Sequence, residues 1–74
     1  MNYRHQDTFE QIGLNILYYR KKLGLTQLQL AEKANYSRNH IQQIETAVDT
    51  PSVEALLDIA EALEIPPAAL FEKR

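Results

Sequence analysis

Between its few breakers this chain repeats apolar residues at helical spacing and nowhere at strand spacing. The breakers are Gly24, Thr50-Pro51 and Pro66-Pro67, and each falls between two segments of helical period. Alternating apolar runs and hairpin dipeptides such as Asn-Gly are absent, so the chain reads as all-α. Its 74 residues suffice for one small core and about four or five short helices. The expected fold is a compact bundle of five short helices, with residues 1–7 as an amino-terminal tail and 8–74 as a single domain.

The first helix is expected from Thr8 to Leu23. Asp7 with Glu10, or Thr8 with Gln11, has the spacing of a capping box, and Ile12, Ile16, Tyr19 and Leu23 share one face. Gly24 tolerates positive φ and ends it. Thr26 caps the second helix with Gln29 reaching back, and Leu30, Ala31 and Ala34 turn inward. Asn35-Tyr36 supplies a tight turn, because Asn accepts the left-handed conformation. Ser37 then caps a third helix ending near Glu45 or Thr46, with Ile41 and Ile44 inward. Ser52 caps a fourth, the most apolar, carrying Val53, Leu56, Leu57, Ile59, Ala60 and Leu63. Pro66-Pro67 suits the first turn of a short fifth helix with Leu70 and Phe71.

The formal net charge is −2, which looks unfavourable for a polyanionic partner. The charges are segregated, however. Residues 1–48 hold six basic and four acidic side chains, whereas residues 49–74 hold two basic and six acidic ones. Cysteine is absent, which excludes disulfides and thiolate chemistry. Met1 to Glu10 is polar, unlike a signal peptide, and no apolar run nears the roughly 18 residues of a membrane span, so a cytoplasmic protein is expected.

Two short helices joined through Asn35-Tyr36 form a helix-turn-helix unit over about 26–45. The second helix of such a unit, here about 37–46, enters the DNA major groove. With Ile41 and Ile44 inward, Asn39, Gln42, Gln43 and Thr46 point outward, with Arg38 at the rim. Asn and Gln can pair bidentately with adenine N6 and N7, and Arg with guanine O6 and N7. A helix built only for packing would carry Lys, Glu or Ala at such positions.

At these residues the sequence resembles the lambda repressor and Cro type of helix-turn-helix domain. The pattern runs through Ile12-Gly13, Arg20, Gly24-Leu25-Thr26-Gln27, Leu30-Ala31, Tyr36-Ser37, Ile41, Ile44-Glu45, Pro51-Ser52, Leu56, Ile59-Ala60, Ala62-Leu63 and Leu70-Phe71. The resemblance implies base contacts from Arg38, Asn39 and Gln43, with Gln42 assisting. It implies backbone contacts from Gln27, Ser37 and Thr46, with Gln27 donating to a phosphate at a helix amino-terminus. It also implies an ion pair between Arg20 and Glu45 that ties the first helix to the third. The chain departs from the family at Ala47, where relatives have Gly, so that either the loop takes another shape or the helix runs further. Val48 and Asp49 replace the loop's usual basic residues.

Helix one carries a second apolar face, Leu14, Leu17 and Tyr18, where similar domains carry charges. It is expected to meet the segment around Tyr3 or a partner subunit. The function implied is sequence-specific binding of double-stranded DNA by a small transcriptional regulator. A single module buries little surface, so a homodimer on a pseudo-palindromic site is expected, with the helix-one face, Leu70 and Phe71 as candidate contacts. The rival reading is a protein-interaction module on the same fold, an antitoxin or co-regulator, which the acidic total charge and Asp49 favour. No enzymatic activity, cofactor or metal is expected. His5 and His40 stand alone, and Glu54, Asp58 and Glu61 fit a solvated helix face.

Overall fold

The computed structural model describes residues 4–74. Four α-helices follow one another: α1 over Gln6–Lys22, α2 over Gln27–Ala34, α3 over Arg38–Glu45 and α4 over Val53–Leu63. A 3₁₀ turn over Pro67–Phe71 completes the fold in place of the expected fifth α-helix. Pro66 is held extended, and the five residues after Pro66 give one tight turn rather than the several that an α-helix needs.

The expected caps of α2, α3 and α4 form. Thr26 Oγ1 accepts from the Gln29 backbone N–H at 3.0 Å while Gln29 Oε1 accepts from the Thr26 N–H at 2.8 Å. Ser37 Oγ accepts from the His40 N–H, and Ser52 Oγ from the Ala55 N–H, both at 3.0 Å. The start of α1 differs from expectation. It begins at Gln6 behind His5, without a side-chain cap, and neither expected capping box forms. Gln11 Nε2 is instead buried without a hydrogen-bond partner among the described residues. The reading that placed Tyr3 against helix one lies outside the described residues.

Each helix ends on a left-handed residue: Gly24, Asn35, Ala47 and Glu64, with φ of 73°, 65°, 61° and 62°. Around each one, paired backbone bonds close the last turn. Leu25 N–H reaches Arg20 O, Tyr36 reaches Ala31 O, Val48 reaches Gln43 O and Ile65 reaches Ala60 O, at 2.8–3.0 Å. Ala47 therefore adopts the left-handed conformation that favours glycine, at a cost of roughly 1–2 kcal/mol for its Cβ. The helix does not run on through Ala47.

Ile12 and Ile16 of α1, Leu30 of α2, Ile41 and Ile44 of α3, Ile59 and Leu63 of α4, and Leu70 form one buried core. Val53 and Leu57 of α4 face solvent instead. Leu70 is 0% exposed, so it cannot serve as a partner contact; its side chain fills the core where the 3₁₀ turn packs on α1 and α4. Phe71 beside it is exposed. α1 and α3 approach closely at Gly13, where a Cβ would stand 2.8 Å from the Ile44 carbonyl oxygen and nearer still to that of Glu45.

The carboxy-terminal segment is held by Asn15, which is fully buried in α1. Asn15 Nδ2 donates to the Leu70 and Glu72 carbonyls, each at 2.8 Å, and Oδ1 accepts from Arg74 Nε at 2.6 Å. A buried amide is tolerated because three strong bonds replace its lost water.

Candidate nucleic-acid interface

The candidate interface is built from α2, the turn after it and α3. Asn35 in the left-handed region and the Ser37 cap fix where α3 starts and which way its side chains radiate. Ile41 and Ile44 anchor the inner face. Arg38, Asn39 and Thr46 are exposed, Gln42 and Gln43 half-buried; helical geometry puts Asn39, Gln42, Gln43 and Thr46 on the side away from the two isoleucines and Arg38 at its rim.

Behind this face lies a polar network that ties three helices together. Arg20 of α1 meets the Glu45 carboxylate of α3 through two parallel bonds, Nε to Oε2 at 2.7 Å and Nη2 to Oε1 at 3.1 Å. Arg20 Nη1 donates to the Leu25 carbonyl at 2.9 Å, filling the remaining side of the guanidinium. Both charged side chains are nearly buried, and the fork-to-carboxylate geometry is the one that makes such burial tolerable. Gln27 of α2 joins the same carboxylate, its Nε2 donating to Glu45 Oε1 at 3.1 Å. The amide expected to reach outward to a phosphate is therefore already partnered within the fold, with one N–H left over.

The other backbone-contact candidates are also partly committed. Thr46 Oγ1 donates to the Gln42 carbonyl at 2.9 Å, which uses its only proton. Ser37 Oγ accepts from the helix and keeps its proton to give. Arg20, Lys21, Gly24, Leu25, Thr26, Gln27, Leu28 and Arg38 line one open cleft at the amino-terminus of α2, where unpaired backbone N–H groups favour an anion.

A second brace escaped the sequence reading. Tyr36, at the start of the turn into α3, donates its hydroxyl to Asp58 of α4 at 2.7 Å and packs edge-on against His40, with ring centroids 5.2 Å apart. The hydrogen bond to Asp58 pushes the Tyr36 phenol up to about 12, with desolvation and the Asp58 and Glu54 charges adding to it. Its folded value exceeds the unfolded value near 10, so its contribution to stability is complete below pH 10 and is lost as pH rises towards 12. Ultraviolet titration of the native protein should show a late phenolate transition near that value, and Tyr36→Phe should remove that contribution. A Tyr36→Phe curve with the same late amplitude as wild type would contradict the assignment.

The helix-turn-helix family model matches residues 16–70. The chain belongs to the helix-turn-helix family. Over 59 residues it is 44% identical to the immunity repressor protein of Bacillus phage phi105, spanning 80% of this chain and 41% of that one. It is 31% identical over 64 residues to the HTH-type transcriptional regulator SinR of Bacillus subtilis, covering 85% of this chain and 58% of SinR. The chain thus spans about half the length of the curated relatives it matches. Among solved structures it superposes on SinR in complex with DNA (TM-score 0.78, 31% identity, 82% of this chain and 98% of that one). It also superposes on the P22 c2 repressor in complex with a synthetic operator (TM-score 0.76, 33% identity, 82% and 92%). Among the described residues no helix is long and apolar enough to cross a membrane.

Proposed function

We propose that this helix-turn-helix chain binds double-stranded DNA sequence-specifically and acts as a cytoplasmic, non-enzymatic transcriptional regulator. The observation that carries this reading is the outward face of α3, where Arg38, Asn39, Gln42 and Gln43 offer base-pairing chemistry on a helix fixed at both ends. The DNA-bound structures of SinR and the P22 c2 repressor, which share this fold, support it. Arg38, Asn39 and Gln43 read base edges, with Gln42 assisting. Gln27, Ser37 and Thr46 contact the backbone: Ser37 with its free hydroxyl proton, Gln27 with the N–H that Glu45 does not take, and Thr46 after turning its hydroxyl away from the Gln42 carbonyl. Two copies occupy a pseudo-palindrome whose half-sites lie about one helical turn apart. The α1 face of Leu14, Leu17 and Tyr18, together with Phe71, is the candidate contact surface between them.

The net charge of −2, Asp49 beside the recognition helix and that same α1 face favour a second reading, an interaction module serving as antitoxin or co-regulator. Salt separates the two. Duplex affinity that falls steeply and linearly in log–log form as salt rises is the expected result, since several phosphates are neutralised. Duplex affinity that is negligible at low salt, or flat with salt, would favour the interaction module.

A further inference from the structure

The outer face of α1 is a charge-ordered seam. Asp7, Glu10, Leu14, Leu17 and Lys21 occupy i, i+3, i+7, i+10 and i+14, a spacing that keeps all five in one stripe. The stripe lies opposite Ile12 and Ile16, which are in the core. Leu14 is 55% exposed, Leu17 half-buried, and Glu10 and Lys21 are open to solvent. Leu14, Leu17, Tyr18, Lys21 and Lys22 line one shallow groove, and Glu10 and Leu14 line the next one, which runs on to Thr46 and Ala47 at the end of α3. Along α1 the stripe therefore reads acid, apolar, base.

We infer that this seam pairs with the α1 seam of a second copy of this chain, the two helices running antiparallel about a two-fold axis between Leu14 and Leu17. The charge order selects both the partner and the direction. Antiparallel pairing sets Leu14 against Leu17 of the partner subunit and Lys21 against Glu10 of the partner subunit, each contact occurring twice by symmetry. Parallel pairing would set like charges against each other at both ends. A surface whose own inverse satisfies it needs no other protein to cover it. Tyr18, 44% exposed, flanks the seam, with the Arg74 guanidinium 3.9 Å from its ring centroid.

A two-leucine seam is well short of the roughly 1,600 Å² that a stable standard interface buries. The free dimer is consequently weak, and it gains from the high effective concentration when two copies lie on neighbouring half-sites. Because Glu10 and Leu14 share a groove with Thr46 and Ala47, the axis falls near the carboxy-terminal ends of the two α3 helices. The inference rests on the dimer named in the proposed function, but its test needs no DNA.

Sedimentation equilibrium of the whole chain without DNA, from the micromolar to the millimolar range, should show a reversible monomer–dimer equilibrium. Leu14→Glu should leave only monomer. Glu10→Lys and Lys21→Glu should each weaken the dimer roughly tenfold, since two attractive contacts become repulsive, and the double exchange should restore it. All three positions are exposed or nearly so, and unchanged far-ultraviolet circular dichroism would establish that the variants fold. Monomer alone throughout the range, or a dimer indifferent to the single reversals, would overturn the inference. A dimer that responds to the exchanges in a protein without duplex affinity would uphold it while removing the DNA reading.

Discussion

Gly13→Ala should lower the melting temperature by about 10 °C or more, although alanine is the better helix former. In an exposed helix the exchange would gain up to about 1 kcal/mol. Here the added methyl stands 2.8 Å from the Ile44 carbonyl oxygen and against the Glu45 carbonyl, and both neighbours are backbone that cannot rotate away. Overpacking against movable side chains costs about 1–3 kcal/mol, and rigid backbone belongs at the top of that range, so the clash outweighs the propensity. In a domain of this size each kcal/mol moves the midpoint by about 4–8 °C. Thermal denaturation followed by circular dichroism measures it, and an unchanged or higher midpoint would show that α1 and α3 have slack between them. The contact matters for function because it presses α1 against the end of α3, the helix that carries Arg38 to Gln43.

Glu45→Ala should have the second large effect, about 3 kcal/mol of lost stability, because it strands the Arg20 guanidinium in a nearly buried position with only the Leu25 carbonyl left to accept from it. Gln27→Ala, which removes only the third hydrogen bond to the same carboxylate, should cost about 1 kcal/mol or less. The pair as a whole contributes less than the single truncation suggests. Replacing both partners with apolar residues, Arg20→Met with Glu45→Leu, should recover much of the loss, since it removes the unpaired charge. Urea denaturation of the three variants decides this. A Glu45→Ala midpoint equal to wild type would mean that Arg20 escapes to solvent at little cost.

What could be read from the sequence follows from how far apart the interacting residues lie. The caps at Thr26, Ser37 and Ser52 are bonds across three residues, and the left-handed turns at Gly24 and Asn35 are properties of single residues, so local spacing carries them. The outward face of α3 follows from the two isoleucines by helical period alone. Asn15 resisted reading because its partners Leu70, Glu72 and Arg74 lie 55–59 residues away, and a lone Asn in a helix gives no sign of them. The Tyr36–Asp58 bond and the contact at Gly13 were hidden in the same way. Leu70 was misplaced on the surface because five residues after Pro66 show too little period to tell inside from outside. At Ala47 the residue type argued against the left-handed turn. The surrounding bonds from Ala47, Val48 and Asp49 back to Ile44 and Gln43 impose it nonetheless. Gln27 and Thr46 were expected to give their donors to a DNA backbone, but internal acceptors that only the folded chain supplies, the Glu45 carboxylate and the Gln42 carbonyl, hold them.

The central claim is that α3 reads sequence, and its most direct test is a selection from a random pool of duplex DNA at moderate salt. Wild type and the Asn39→Ala, Gln43→Ala double variant would be run in parallel. Both side chains are on the outer face of α3, so the variant should fold as wild type does, which circular dichroism checks. Each lost bidentate contact is worth about 1–3 kcal/mol of discrimination, so the pair should relax specificity by tenfold or far more. The expected result is enrichment of one pseudo-palindrome by wild type, with that preference lost or broadened at the contacted bases in the variant. Enrichment of the same sequence by both proteins, or of none by either, would contradict base reading by α3.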